Sequence, residues 1–345
     1  MRIVVTGASG AIGRRVVRRL AADGDDDVVA VDRAARRSPL PGVIAKRVDL
    51  ASADLGAVFS GADVVVHLAT ATSPAGEEVA REQLELAIVR RVLDAAADAG
   101  VSQLVVVSSA MVYGAWPANP VPLTEDAPVR PNPDFAWASV RASVDQLVRE
   151  WGHGRSGTAV AVLRPTAVVA DDDLGTLASV LHAARVGVAA VGDPPVQYLH
   201  VDDLAAAVAT VVRERFDGVA NVAPDGWIPP DGLSDLEGPL PRLRVPAWAA
   251  RIAAGMRWRA GLSPTPPGVV PYTTNPWVVS NDRLRSLGWR AEYSNEEAWV
   301  VSHEPGPLDR MPARRRQELA LGAVAVAIVA ALAAAAYLVF RLRRR

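Results

Sequence analysis

The sequence predicts an α/β protein built on a doubly wound parallel sheet, and three observations carry that reading. Short Val-rich runs alternate with helical stretches through residues 1–163. Those runs are continuously apolar, as strands covered on both faces are, rather than alternating apolar and polar. A glycine-spaced turn follows the first run at once, where such sheets bind ligands.

Taken in order, "RIVVT" (2–6) reads as the first strand, and "AIGRRVVRRLAADG" (11–24) has helical periodicity and stops at a Gly. "DVVAVD" (27–32), "VIAKRVDL" (43–50) and "ADVVVHLA" (62–69) read as the second, third and fourth strands. A long Ala-rich helix over 77–99 leads to the strand "QLVVVSS" (103–109). A helix over about 134–151 leads to "AVAVLRP" (159–165). After Pro165 the pattern loosens. "QYLHVDDLAAAVATVV" (197–212) reads as strand, cap and helix, with Asp202 or Asp203 at the helix start. Residues 223–275 are rich in Pro, Gly and Trp, which predicts a smaller lobe of loops and short helices, among them a helix over 246–262. That helix carries Trp248, Met256 and Trp258 among arginines. It reads as ordinary lobe packing with a solvated Arg face, or as a helix lying on a lipid surface.

Composition narrows the function classes. Of 345 residues, 50% are hydrophobic and 22% charged, with a net charge of −1, so nothing suggests nucleic acid as a partner. No cysteine is present, which excludes disulfides and thiolate metal sites. The five histidines (67, 153, 182, 200 and 303) show no ligand-like spacing, and no metal is expected. Lys46 is the only lysine.

The N-terminus lacks the apolar core of a signal peptide. The C-terminus is different: 319–340 runs 22 residues without a charge between "RRR" (314–316) and "RLRRR" (341–345). A helix of that length reaches about 33 Å, enough to cross a bilayer core. One C-terminal transmembrane helix is therefore expected over 319–340, after a linker (304–318) and before a basic tail (341–345). The flanking arginines balance and do not orient it. A cell-membrane location follows, with residues 1–318 on the cytoplasmic side.

The chemistry begins at "VVTGASGAIG". Gly7, Gly10 and Gly13 stand in G-x-x-G-x-x-G spacing between the first strand and the first helix. Gly7 permits a tight turn, Gly10 lets the backbone approach a pyrophosphate, and Gly13 lets helix and strand pack closely. Ser9, Ala11 and Ile12 complete this cradle, and the helix N-terminus offers N–H groups to phosphate. Asp32 ends the second strand about 20 residues on, where a carboxylate bonds the adenosine ribose hydroxyls and favours NAD. Arg33 beside it could pair with a 2′-phosphate, which keeps NADP as the second choice. Asp49 either reaches the adenine amino group or caps its own loop.

With these residues the chain resembles the extended short-chain dehydrogenase/reductases, the NAD-dependent epimerase/dehydratase group, over about 1–303. The motifs are "TGASGAIG" (6–13), "VDR" (31–33), "VDL" (48–50), "VVHLA" (65–69), "SSAMVYG" (108–114), "LRPTAVV" (163–169), "YLHVDDLA" (198–205) and "LGWRAEYSNEEAW" (287–299). The resemblance implies a Rossmann-type sheet (core about 1–165 and 196–222) and a small C-terminal substrate lobe (mainly 166–195 and 223–303). It adds Leu50, Leu68, Ala69, Arg141 and Pro165 to the expected cofactor contacts. It implies a small-molecule substrate such as a nucleotide sugar, a sterol or another hydroxyl or carbonyl compound, and it leaves a homodimer open.

The family's chemistry uses a Ser, a Tyr and a Lys, the Tyr taking a substrate proton while hydride moves to nicotinamide. Ser109 matches the Ser. In "WASVRASVDQL" Trp137 takes the Tyr place, Arg141 the Lys place and Asp145 the downstream acid, while Glu85 aligns with a family Asn. No Tyr-x-x-x-Lys exists in the chain, because Gly42 stands four residues before Lys46. An indole does not titrate near neutral pH, so Trp137 is no general base. Arg141 stays cationic and could still hold a ribose. Tyr113 and His200 are the candidates for a relocated base. Two readings therefore stand: a membrane-anchored NAD(P)-dependent oxidoreductase with an atypical site, or a non-catalytic NAD(H)-binding scaffold or redox sensor.

Overall fold

A computed structural model describes residues 1–22, 24, 26–34, 40–71, 79–171, 173–185, 188–190, 194–237, 243–261 and 265–303. The first half runs β1 (Arg2–Thr6), α1 (Ala11–Ala21), β2 (Asp27–Asp32), β3 (Val43–Arg47), α2 (Leu55–Phe59), β4 (Val64–His67), α3 (Val79–Asp98) and β5 (Gln103–Val107). A 3-10 turn at Ala110–Tyr113 then leads to α4 (Ala136–His153) and β6 (Ala159–Pro165). The second half runs β7 (Ala167–Val169), α5 (Gly175–Arg185), β8 (Val188–Ala190), β9 (Tyr198–His200), α6 (Val201–Arg213) and β10 (Gly218–Val222). It ends with α7 (Pro230–Glu237), β11 (Leu243–Val245), α8 (Ala247–Arg259), α9 (Val270–Thr274), α10 (Asp282–Ser286) and α11 (Asn295–Ser302).

Seven strands form one sheet in the order β10-β6-β5-β4-β1-β2-β3, every neighbouring pair parallel. The chain starts in the middle, winds outward through β2 and β3, then returns past β1 to β4. That reversal opens a crevice at the carboxyl ends of β1 and β4, where open α/β sheets bind ligands.

The sheet is held by apolar packing on both faces, and the pleat sorts it. Ile3 and Val5, Val64 and Val66, Val105, and Ala161 and Leu163 bury toward α1 and α6. Their neighbours Val4, Val65, Leu104, Val106, Val160 and Val162 bury toward α2, α3 and α4. This is why the strands read as unbroken Val runs. Each such fully buried side chain contributes about 1.5–3 kcal/mol relative to exposure. Leu104→Ala would break the second layer at a cost of about 2–5 kcal/mol.

A third cluster builds the lobe: Met111, Phe135, Tyr198, Tyr272, Trp277 and Trp299 pack around the 3-10 turn and α5. The start of α6 differs from expectation. Its cap is His200, whose Nδ1 accepts from the Asp202 N–H at 3.3 Å. Asp203 is instead buried, accepting from the Glu292 and Tyr293 N–H groups at 2.7 and 3.2 Å. It staples the segment before α11 to α6, and burial raises its pKa.

The expectation of a C-terminal transmembrane helix is corrected. Among the described residues no helix is long and apolar enough to cross a membrane. The run at 319–340, its linker (304–318) and its tail (341–345) lie outside the described residues. The fold class is the Rossmann-type parallel sheet with its lobe. Three strands end earlier than the sequence suggested, β3 at Arg47, β4 at His67 and β5 at Val107, because the chain turns there into the crevice loops.

Candidate functional site

The crevice holds a cavity of about 530 Å³. Gly7 and Gly10 form its floor, Asp32, Arg33, Asp49 and Leu50 one end, and the Leu68–Ala71 loop with Arg81 and Glu85 of α3 the other. The glycines are needed for space. Gly7 has φ +75°, and a Cβ there would stand 2.6 Å from the Ala69 nitrogen. A Cβ on Gly13 would collide with the Gly7 carbonyl, so close approach of α1 to the turn requires glycine. Gly10 is the N-cap of α1 and carries no capping side chain, and no acid lies in the first turn. The N–H groups at Ala11, Ile12 and Gly13 therefore start the helix without intrahelical acceptors.

Asp32 is fixed by two backbone bonds, from Ser9 N–H at 3.1 Å and Ala34 N–H at 2.9 Å. It ties the end of β2 to the glycine turn. Arg33 is exposed beside it. Asp49 lines the cavity, and its Oδ1 also accepts from the Ala51 N–H at 3.0 Å, so it caps its loop as well. Leu50, Leu68 and Ala69 line the cavity as well. Open glycine floor, uncapped helix start and carboxylate at the β2 end fit a dinucleotide.

Four other expected residues do not line this cavity, although Arg141 meets its wall at Glu85. Ser109, Tyr113, Arg141 and Pro165 are not among its described lining. Ser109 is buried and caps the 3-10 turn, its Oγ accepting from the Met111 N–H at 3.2 Å. Pro165 ends β6, buried. Tyr113 is buried with its hydroxyl engaged twice. It donates to Asn221 Oδ1 at 2.7 Å and accepts from Arg164 Nη1 at 2.8 Å. Burial raises its pKa. These contacts give Tyr113 a place in a structural network, which argues against its use as a relocated base.

Arg141 is 6% exposed and forms an ion pair with Glu85, itself 2% exposed. Burial lowers the guanidinium to about 10, so it stays cationic at neutral pH. Its Nε has no acceptor among the described residues. Trp137, one turn earlier on α4, is half-buried, with its ring 6.0 Å from Phe135 and 6.0 Å from the Arg141 guanidinium carbon.

Two features escaped the sequence reading. His67 lines the cavity, with Nδ1 2.7 Å from Thr6 Oγ1. Burial first, then the Arg141 charge, lowers it to about 4. Its place in "VVHLA" was the available signal. The fold also gathers Asp171, His200 and Asp202, with ligand-type atoms within 4.8 Å of one another. Arg15 reaches both carboxylates at 3.3 Å and supplies a cation there.

Sheet order, glycine turn and the carboxylate after β2 together define a dinucleotide-binding α/β protein. The chain belongs to the NAD dependent epimerase/dehydratase family, whose model matches residues 3–223. It is 32% identical over 314 residues to a 3-diazoavenalumate denitrifying reductase of a Streptomyces species, covering 84% of this chain and 96% of that one. Its fold is similar to the UDP-glucose 4-epimerase of Thermus thermophilus solved with NAD, with a TM-score of 0.65 and 23% identity over 88% of this chain and 97% of that one. It is equally similar to a dTDP-glucose 4,6-dehydratase of Streptomyces venezuelae with NAD bound, with a TM-score of 0.65 and 20% identity over 88% and 95%.

Proposed function

We propose that the protein is an NAD(H)-dependent reductase of a diazo-type electrophile. The observation that carries this reading is the side-chain set of α4. Trp137 stands where the family places its proton-taking Tyr, and an indole N–H cannot take a proton from a hydroxyl. A reaction suited to this site has no such proton to remove. Similarity to a reductase named for removing nitrogen from a diazo compound supports that class. When hydride reaches a diazonium carbon, the C–N bond breaks and dinitrogen leaves with its electron pair, so charge balances without a base. Nucleotide sugars and sterols, expected from the family pattern, do need the base.

The chain's own residues hold and shield. The Gly7–Gly13 turn and the start of α1 would bind the pyrophosphate, and Asp32 the adenosine ribose. Asp49 and Leu50 flank the adenine end, and Arg141 would reach the nicotinamide ribose. NAD(H), when bound, supplies or accepts the hydride. Ser109, whose Oγ accepts from the Met111 N–H, keeps its own proton and would donate it to the reacting group.

The test uses the full-length protein with NADH and an arenediazonium salt, scored against Gly10→Asp to subtract uncatalysed oxidation. Enzyme-dependent NADH consumption with release of dinitrogen is expected. NAD-dependent oxidation of UDP-glucose or a hydroxysteroid, with no diazonium turnover, would overturn the reading in favour of family-type chemistry. Tight NAD binding with neither activity would favour the non-catalytic reading, which Trp137 also supports.

A further inference from the structure

Glu85 sits at the inner end of the cavity, on α3, with 2% exposure. Its Oε2 accepts from Thr70 Oγ1 at 2.9 Å and from the Ala71 N–H at 3.0 Å. Those residues belong to the loop after β4 that forms the cavity wall. Its Oε1 faces Nη2 of Arg141. One carboxylate thus joins three parts: the wall loop, α3 and the arginine of α4. The pair suits an arginine at the place where the family pattern has a lysine. A planar guanidinium can give one edge to a carboxylate and keep Nε and its other edge for a second acceptor. A single ammonium point charge is less able to share itself that way. The Nε–H of Arg141, buried without an acceptor among the described residues, is a donor that a ribose hydroxyl would satisfy.

We propose that Glu85 is the positioning residue for the nicotinamide half of the cofactor: it anchors Arg141 to the Leu68–Ala71 loop and so sets where the guanidinium meets the ribose. The inference rests on the cofactor reading above and deepens it. Glu85 and Arg141 then form one exchanged unit, in which an acid–guanidinium pair replaces a neutral amide and an ammonium. It carries a pair of opposite charges where the family pattern leaves a net positive one.

The test is calorimetric titration of the full-length protein with NAD and, separately, with ADP, which lacks the second ribose. Glu85→Gln keeps shape and removes the charge. It is expected to weaken NAD about tenfold, the scale of a lost charge-assisted hydrogen bond, while leaving ADP within about twofold. Arg141→Met should do the same. Glu85→Gln with Arg141→Met should add little to either single change, because both break one linkage. The double variant also buries no unpaired charge, so it serves if Glu85→Gln alone does not fold. A folded Glu85→Gln or double variant that binds NAD like the wild type overturns the proposal. So does parallel loss of NAD and ADP, which would mark a merely structural role. A wild type that binds neither nucleotide overturns the cofactor reading, and this inference with it, and that pattern is distinguishable from the other two.

Discussion

Two arginine–carboxylate pairs are buried along α4, and they are built for different purposes. Arg164 forks onto Asp145, with Nε and Nη2 each 2.7 Å from a carboxylate oxygen, and Nη1 donates to Tyr113. Burial alone would lower the Arg164 pKa, but its bonds to Asp145 outweigh that and raise it. One turn earlier on the same helix, Arg141 pairs with Glu85 at the cavity edge and keeps a buried Nε without an acceptor. The first pair has its donors satisfied inside the protein and ties β6 to α4. The second keeps a buried donor without an acceptor among the described residues, beside Glu85 of the cavity lining. On the proposed reading, satisfaction of the fork separates a structural pair from a functional one.

The largest effect should come from the structural pair. Asp145→Ala leaves the Arg164 cation buried and unpaired, which costs about 3–5 kcal/mol. Urea denaturation should show that loss, and the folded fraction should still bind NAD with near wild-type affinity. A loss under about 1 kcal/mol would mean that water or another acid replaces Asp145, and the contrast would fail.

The next effect probes the cavity side through pH. His67 has a folded pKa of about 4, below an ordinary value near 6.5, because burial and then Arg141 disfavour its charged form. Above about pH 6.5 the ring is neutral in both states, and its contribution to stability is complete. As pH falls, the unfolded chain takes a proton that the folded chain refuses until about pH 4. Across that window stability should drop by roughly 3 kcal/mol. His67→Asn should flatten the profile, and Arg141→Met should recover a smaller part. Superimposable profiles for wild type and His67→Asn would show that the ring is not buried as described.

Gly10→Asp tests the cradle without touching either pair. Gly10 has room for a Cβ, whose nearest neighbour would be the Gly7 carbonyl at 3.4 Å, and an Asp there is a good N-cap. Stability should stay within about 0.5 kcal/mol. The carboxylate would face the pyrophosphate, and NAD affinity should fall about 100-fold, about 2.7 kcal/mol. Unchanged affinity would move the phosphate site away from α1.

Much of this was legible in the sequence. The Val runs set the strands, because a strand buried on both faces has no polar positions to alternate. Gly7, Gly13 and Asp32 announced the cradle, because sterics and the β2 end leave little choice there. The pairing of Glu85 with Arg141 was not legible, since it depends on how α3 lies against α4 across 56 residues of chain. The Arg15 contacts to Asp171 and Asp202 join α1 to segments more than 150 residues away, and were hidden for the same reason. Tyr113 looked like a base by type, and only its two hydroxyl partners show how it is used. The apolar run at 319–340 read as a span from hydropathy alone, a signal that no described helix carries.

The smallest change in binding should come from restoring the family pair, Trp137→Tyr with Arg141→Lys. Lysine keeps a cation against Glu85 but lacks the Nε–H, so NAD affinity should fall about threefold, about 0.65 kcal/mol. Tyrosine is smaller than tryptophan, and the half-buried ring against Phe135 can shrink without opening a closed core. What should change is chemistry. A phenol beside an ammonium can be deprotonated where an indole cannot, so oxidation of hydroxyl substrates should appear in the double variant and not in the wild type. Diazonium reduction, which needs no base, should survive. If hydroxyl oxidation is already present in the wild type, Trp137 does not stand at the proton-transfer position. If NAD affinity collapses instead, the indole is part of the cofactor wall, and the line between the structural and functional turns of α4 moves one turn toward its N-terminus.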